Sequence, residues 1–403
     1  MGYVEDRWYR TVKDADGRTT QVKTARHGTG MRYRVRYIAP DGKERSESFP
    51  DRQKRTADAF LATVESDKVR GTFVDPAAGR MLFGVFAESW LRTATLDTAT
   101  RETVELRVRK HLLPFFGSRQ LAAIQPSTVR EWIRALDEAG GLAVSTQAVL
   151  FTHLRTILNA AVDDRRITKN PCSARSVVAP EPVEKKIVPW PAERVRLMRD
   201  LVPARYRLVL DLGAGCGLRQ GEIFGLSDED LDIEGGWLHV RRQVKVVRSR
   251  LVFGLPKSDR ERKVPLPGSV IRRINAHREV CKPVYVTLPW EDPFSVTKIT
   301  ESLLLSTPRG NAIRRNTFDE LTWNRALDEA GIPRIRANGT HALRHHYASV
   351  LLDAGESIKA VSEYLGHWDP GFTLRQYTHL MPNSQERSRS AIDASLDFEE
   401  TAP

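Results

Sequence analysis

Cysteine is nearly absent: Cys172, Cys216 and Cys281 are all that 403 residues contain. An odd number at wide spacing supports neither a disulfide framework nor a cysteine-built zinc site, and it fits a reducing, cytoplasmic setting. No apolar run approaches the roughly 18 residues a membrane span needs. The opening MGYVEDRWYR has acids where an export signal has an apolar core, so no membrane partner is expected. Internal repeats and low-complexity tracts are also missing. Acidic side chains are the scarcer sign, 51 against 63 basic, for a net charge of +12. That balance favours a polyanionic partner such as nucleic acid over an acidic small substrate, with a merely basic surface as the plainer alternative. The length allows two or three domains.

The pattern along the chain changes twice. Residues 1–75 read as short β-runs, WYRTV and MRYRVRYIA, split by the turn sequences DADGR and PDGK and followed by a helix from Arg55 to Val69. In the second run Arg32, Arg34 and Arg36 alternate with Tyr33, Val35 and Tyr37, so an extended strand sets three guanidiniums on one face. Such a face could enter a DNA groove or simply be a solvated sheet surface. From 81 to 175 the spacing is helical: Phe83, Phe86, Trp90 and Leu91, then Val129, Trp132, Ile133 and Leu136, then Leu150, Leu154, Ile157, Leu158 and Ala161. Four or five helices make a small all-α bundle, mildly basic. A proline-rich linker ends near Pro191, and residues 183–382 mix helices with a short β section, an α+β pattern that is mainly helical. Residues 283–300, PVYVTLPWEDPFSVTKIT, are a long stretch between the β section and the last helices with no evident role.

Chemistry-bearing residues gather late in the chain. Five of the ten histidines fall between His341 and His379, in HALRHHYAS, LGHWDP and TLRQYTHL. In the first of these, His341, Arg344 and His345 share a helix face, which suits a cationic cradle for a phosphodiester better than a zinc helix, since no Glu stands between the histidines. His367 follows Gly366 where a helix ends and by itself reads as a cap; Tyr377, one turn after Thr373, by itself reads as a packed tyrosine. Tyr364 is the expected core tyrosine. Upstream, GAGCGLRQGEIFGL is out of register for a nucleotide loop and lacks the Walker lysine. Its Arg219 and Glu222 lie on one side of a helical turn, either as a carboxylate-held phosphate ligand or as a surface ion pair.

Taken in order, Arg219 with Glu222, Lys257, His341-x-x-Arg344, Gly366-His367 and Tyr377 resemble the tyrosine recombinase (phage integrase) family. The resemblance is specific over residues 185–382, rests on helical layout over 81–175, and is loose over 1–75. It implies an arm-type DNA-binding domain at 1–75, a core-binding helical domain at 81–175, and a catalytic domain at 183–382, the two larger domains clamping duplex DNA. A tail at 383–403 either docks on a neighbouring subunit or is a frayed acidic end. It further implies that Tyr377 attacks phosphorus to give a 3′-phosphotyrosyl bond, that Arg219 and Arg344 hold the non-bridging oxygens, and that His341 assists deprotonation of the tyrosine. His367 then donates to the phosphate and Lys257 protonates the departing 5′ oxygen, with Glu222 and His345 behind them. Arg262 and Lys263 are the alternatives to Lys257 in PKSDRERKVPL. No metal and no cofactor are implied. The implied partners are duplex DNA with attachment sites, a homotetramer on that DNA, an excision-directionality factor and a DNA-bending host protein. A type IB topoisomerase or a non-cutting DNA-binding regulator on the same fold are the competing readings.

Overall fold

The computed structural model describes residues 2–377 except 14–18, 41, 72, 76–77, 184–185 and 258–259, together with 389, 392 and 395. The chain is multidomain and mixes helices with small sheets. It divides into two compact units, Met1–Val183 and Glu184–Pro403.

The first unit holds two separate cores. One lies between a helix and an antiparallel sheet of order β1 (Tyr3–Asp6), β4 (Tyr33–Ile38), β5 (Glu44–Phe49). Alternation in β4 sends Tyr33, Val35 and Tyr37 inward, where Ala57 and Val64 of α1 (Lys54–Arg70) complete the core. Between β1 and β4 the chain makes a separate two-stranded ribbon, β2 (Tyr9–Lys13) with β3 (Thr19–Lys23). The other core is helical. α2 (Phe83–Thr93), α3 (Thr98–Arg107), α5 (Pro126–Ala139) and α6 (Val144–Asp163) surround it, and α3 passes through a wide π turn at Val108–Leu112 into the short α4 (Leu113–Phe116). Apolar residues at helical spacing meet there: Phe83, Phe86, Leu91, Val129, Trp132, Leu150, Leu154, Ile157, Leu158 and Ala161 are all buried.

In the second unit, α7 (Ala192–Leu201), α8 (Arg207–Cys216) and α9 (Gln220–Phe224) precede an antiparallel sheet of order β10-β7-β6. Its strands are β6 (Leu231–Asp232), β7 (Trp237–Val240) and β10 (Arg262–Pro265); β8 (Gln243–Val247) and β9 (Arg250–Gly254) form a hairpin between them. α10 (Gly268–Val280) follows. The long stretch 283–300 belongs to a second hairpin, β11 (Val284–Pro289) with β12 (Lys298–Leu303), with WEDPFS between the strands. After α11 (Arg315–Phe318) and α12 (Asn324–Glu329) come α13 (His341–Asp353), α14 (Ile358–Leu365) and α15 (Pro370–Tyr377).

The glycines of GAGCG are helix-packing sites. A side chain at Gly213 would sit 2.8 Å from Leu343, so its absence lets α8 lie close against α13. Gly217 ends α8 in the left-handed conformation at φ 63°, a turn that lets the chain double back to Arg219. His379 and most of the tail lie outside the described residues; Arg389, Ile392 and Ser395 are helical.

Candidate active site

Four segments converge on one point in the second unit: the start of α9, strand β10, the first turns of α13, and the run from the end of α14 through α15. Arg219 caps α9. Its Nη1 donates to Glu222 Oε1 at 2.9 Å, its backbone N–H to Glu222 Oε2 at 2.8 Å, and its Nη2 to the Gly366 carbonyl at 3.3 Å. The Glu222 carboxylate is fully buried, 0% exposed, and accepts two further bonds from Arg262, at 2.9 and 2.6 Å. Burial by itself would raise this carboxyl, but Arg262, Arg219 and Arg344 outweigh it and hold the pKa down to about 2.

In the sequence Arg262 stands only as an alternative to Lys257. The structure gives it another place: it clamps Glu222 and donates from Nε to the Tyr364 carbonyl at 2.8 Å, tying β10 to α14. Its signal in the sequence is weak, since one arginine among several in a polar turn says nothing of a carboxylate 40 residues away. Lys257 stands exposed on the turn after β9, and no hydrogen bond or ion pair among the described residues ties it to the cluster.

Arg344 is the most buried cation, 1% exposed. Its two Nη groups donate to the carbonyls of Gly217 (2.7 Å) and Leu365, at the C-terminal ends of α8 and α14, where the partial negative charge of each helix dipole offsets part of the cost of burial. Its Nε is buried without a hydrogen-bond partner. Burial and the like charges of Arg219 and Arg262 push its pKa well down against the opposing pull of Glu222.

Tyr377 is buried, 2% exposed, and its hydroxyl lies 2.7 Å from His345 Nδ1. The resemblance gives the role beside the tyrosine to His341; in this structure the ring within hydrogen-bond distance of the hydroxyl is that of His345. α13 begins at His341, whose ring stands at the solvent end; His345, one turn further in, is the one that reaches a buried hydroxyl. The two rings meet edge to face at 4.7 Å between centroids. Burial pushes Tyr377 up to about 12, against the pull of Arg344 and Arg219. Burial and Arg344 push His345 down to about 4. His341 keeps contact with solvent, yet crowding on its inner side and the charges of His345, Arg344 and Arg219 push it down to about 3.

His367 follows Gly366, which ends α14 at φ 60°. Its Nδ1 lies 2.7 Å from Thr373 Oγ1, and its ring packs edge-on against Phe372. Burial, then Arg344 and Arg219, push it down to about 3. Thr373 and Tyr377, four apart on α15, are both buried, so one helix face orients the histidine and carries the tyrosine. His346 belongs elsewhere and bonds the Trp190 carbonyl at 2.8 Å. Tyr364 is half-buried and packs against the core of this unit, whose buried tyrosines are Tyr347 and Tyr377.

The N-terminal arginines are placed differently. Arg32 pairs with Asp6 (2.9 Å) and Asp51 (3.0 Å) and stacks over Trp8, Tyr9 and Tyr33. Arg36 pairs with Glu5 and Glu44, both at 3.2 Å, and Arg34 donates to Ser46 Oγ at 2.9 and 3.0 Å. The expected alternation is present, but the unopposed cationic face is not: neighbouring strands bring carboxylates alongside, because cross-strand pairs of opposite sign stabilise the sheet.

A buried tyrosine, arginines, histidines and a buried carboxylate meeting at one point are the groups that phosphoryl transfer through a covalent protein intermediate calls for. Residues 192–384 match the phage integrase family and residues 82–136 the N-terminal SAM-like domain of phage integrases. The chain is 29% identical over 294 residues to a XerC-like tyrosine recombinase of Caldanaerobacter subterraneus, covering 68% of this chain and 72% of that protein. It is 27% identical over 377 residues to the putative prophage phiRv2 integrase of Mycobacterium tuberculosis, covering 91% and 93%. The fold is shared with the Tn1549 transposon integrase in complex with circular intermediate DNA (TM-score 0.64, 19% identity, 78% of this chain and 99% of that one). It is shared too with a lambda integrase dimer bound to a core site (TM-score 0.57, 14% identity, 85% and 91%). The chain belongs to the phage integrase family of tyrosine recombinases: it is a site-specific recombinase that cleaves and rejoins DNA. Among the described residues no helix is long and apolar enough to cross a membrane, and no cluster of side chains fits a metal ion.

Proposed function

We propose that Tyr377 is the nucleophile by which this recombinase integrates and excises a phage or other mobile element. The observation that carries this reading is the charge imbalance around it. Three guanidiniums, Arg219, Arg262 and Arg344, face one carboxylate, Glu222, and Arg344 keeps a buried Nε unpartnered. Buried cations normally have anions, and a phosphodiester supplies the missing charge. Arg219 and Arg344 hold its non-bridging oxygens, and the buried Arg262–Glu222 pair fixes Arg219 in place. The tyrosyl oxygen attacks phosphorus as its proton passes to neutral His345. A 3′-phosphotyrosyl bond forms, and the bond to the 5′ oxygen breaks. Lys257 delivers a proton to that departing oxygen. Thr373 fixes one nitrogen of His367 so that the other faces the phosphate, and His341 lines the entrance. A partner strand's 5′-hydroxyl later reverses the step.

In this reading, residues 81–175 grip the core site, residues 1–75 bind arm sites, and four copies assemble on paired attachment sites. A directionality factor and a DNA-bending protein act with them in the cytoplasm. The related lambda integrase, crystallised as a tetramer on a Holliday junction, supports the assembly. The test is SDS-resistant attachment to nicked duplexes from DNA flanking the chain's own gene. Wild type forms the adduct and Tyr377→Phe binds without forming it; an adduct that survives the substitution rules Tyr377 out as nucleophile.

A further inference from the structure

The arginine face of the N-terminal sheet is answered by carboxylates, which leaves open what in residues 1–75 meets DNA. The β2–β3 ribbon has the opposite character. Every residue of both strands except Tyr9 is exposed, and none belongs to the buried core of its unit. The strands YRTVK and TTQVK carry Arg10, Lys13 and Lys23 and no carboxylate; the acids Asp14 and Asp16 belong to the joining turn sequence.

An isolated two-stranded ribbon is marginal in water, so something must hold this one out. Its base is anchored. Tyr9 OH lies 2.9 Å from His27 Nε2, Trp8 Nε1 donates to the Thr29 carbonyl at 3.0 Å, and Thr24 Oγ1 donates to the Arg7 carbonyl at 2.6 Å. Arg32, which the sequence offers as a DNA contact, is stacked on Trp8 and Tyr9 as part of that anchor. The register places Thr11 opposite Gln21, Lys13 opposite Thr19 and Tyr9 opposite Lys23. One face thus presents hydroxyls and an amide in the middle with a cation near each end.

We infer that the β2–β3 ribbon is a DNA-reading element in its own right, entering the major groove of a duplex with Thr11 and Gln21 toward base edges and Lys13 and Lys23 against flanking phosphates. The major groove, about 12 Å wide, admits a two-stranded ribbon, and an amide is a suitable partner for adenine. Charge selects the occupant, because strands with three cations and no acid suit a polyanion. The inference rests on the proposed role of residues 1–75 and names the element that performs it.

The test uses the full chain and a fluorescent 40-bp random-sequence duplex, since phosphate contacts form on any sequence. Lys13→Ala with Lys23→Ala makes the fall of log affinity with log salt less steep by about 2, while Arg34→Ala leaves it unchanged. On DNA selected by the wild type from a randomised pool, Thr11→Val with Gln21→Ala lowers the preference over random duplex about tenfold. An unchanged slope in the double lysine variant overturns the inference. So does a slope that Arg34→Ala alone alters, or a double lysine variant that changes only self-association in sedimentation. The covalent adduct on nicked DNA is measured in parallel on the same variants: its absence in the wild type counts against the proposed nucleophile, and the salt slope still decides the ribbon.

Discussion

Two groups of three arginines in this chain, one on a single short segment and one gathered from distant segments, differ in the carboxylates around them. Arg32, just before β4, and Arg34 and Arg36 on it are half-exposed; Arg32 pairs with Asp6 and Asp51, Arg36 with Glu5 and Glu44, and Arg34 bonds Ser46. Arg219, Arg262 and Arg344 close on a single carboxylate that is wholly buried. The first arrangement satisfies its charge within the protein; the second stores a deficit that an anion can fill. Arginine count is therefore a poor guide to phosphate binding, and the number of carboxylates the fold brings alongside is a better one.

The comparison is broken most severely by removing a cation from each group. Arg344→Ala lowers the rate of adduct formation about 10²- to 10³-fold, the usual effect of deleting one donor to transition-state charge, whereas Arg34→Ala leaves that rate unchanged; single-turnover cleavage of nicked core DNA reads both. An anion partner can be removed instead. Glu222→Gln strands Arg219 and Arg262 beside each other in the interior and costs about 3 kcal/mol of stability, the order found on breaking a buried pair. Glu44→Gln, at a carboxylate 57% exposed, leaves the unfolding midpoint where it was. Denaturant unfolding followed by tryptophan fluorescence separates the two, and equal effects would mean that burial does not distinguish the groups.

The sequence carried much of this, for physical reasons that differ by element. The helices of 81–175 were readable because each buries one continuous face, so their apolar residues recur at fixed spacing. The alternation in β4 was readable for the same reason with a period of two. The ion pairs across β1, β4 and β5 were not, since they depend on which strands become neighbours, and β1 pairs with β4 across an intervening ribbon. In the site, Arg219 with Glu222 and His341 with Arg344 are local in sequence and could be seen together. The Arg262–Glu222 clamp and the His345–Tyr377 bond join positions 40 and 32 residues apart, and only packing of α9, β10, α13 and α15 decides them. Spacing showed that His341 and His345 share a face but not which of them lies deeper.

Acid sharpens the comparison, because the histidines packed among the buried arginines resist a proton that the unfolded chain accepts. His345 titrates near 4 in the folded chain and about 6.5 when unfolded. Between those values the unfolded chain binds a proton that the folded one does not, so stability falls as pH drops below 6.5 and levels off below about 4. His341 and His367 shift in the same direction, so each also turns against the fold as it gains charge beside Arg344. On the strand face, hydrogen bonds from Arg32 hold Asp51 below the ordinary carboxylate range. His345→Asn keeps an acceptor for the Tyr377 hydroxyl and removes one titration while leaving the other two. At pH 5 the variant should recover about 2 kcal/mol relative to wild type, with the difference vanishing above pH 7. Unfolding midpoints measured from pH 4.5 to 7.5 check this, and parallel curves for the two proteins would mean that His345 is no more reluctant to take a proton in the pocket than in water.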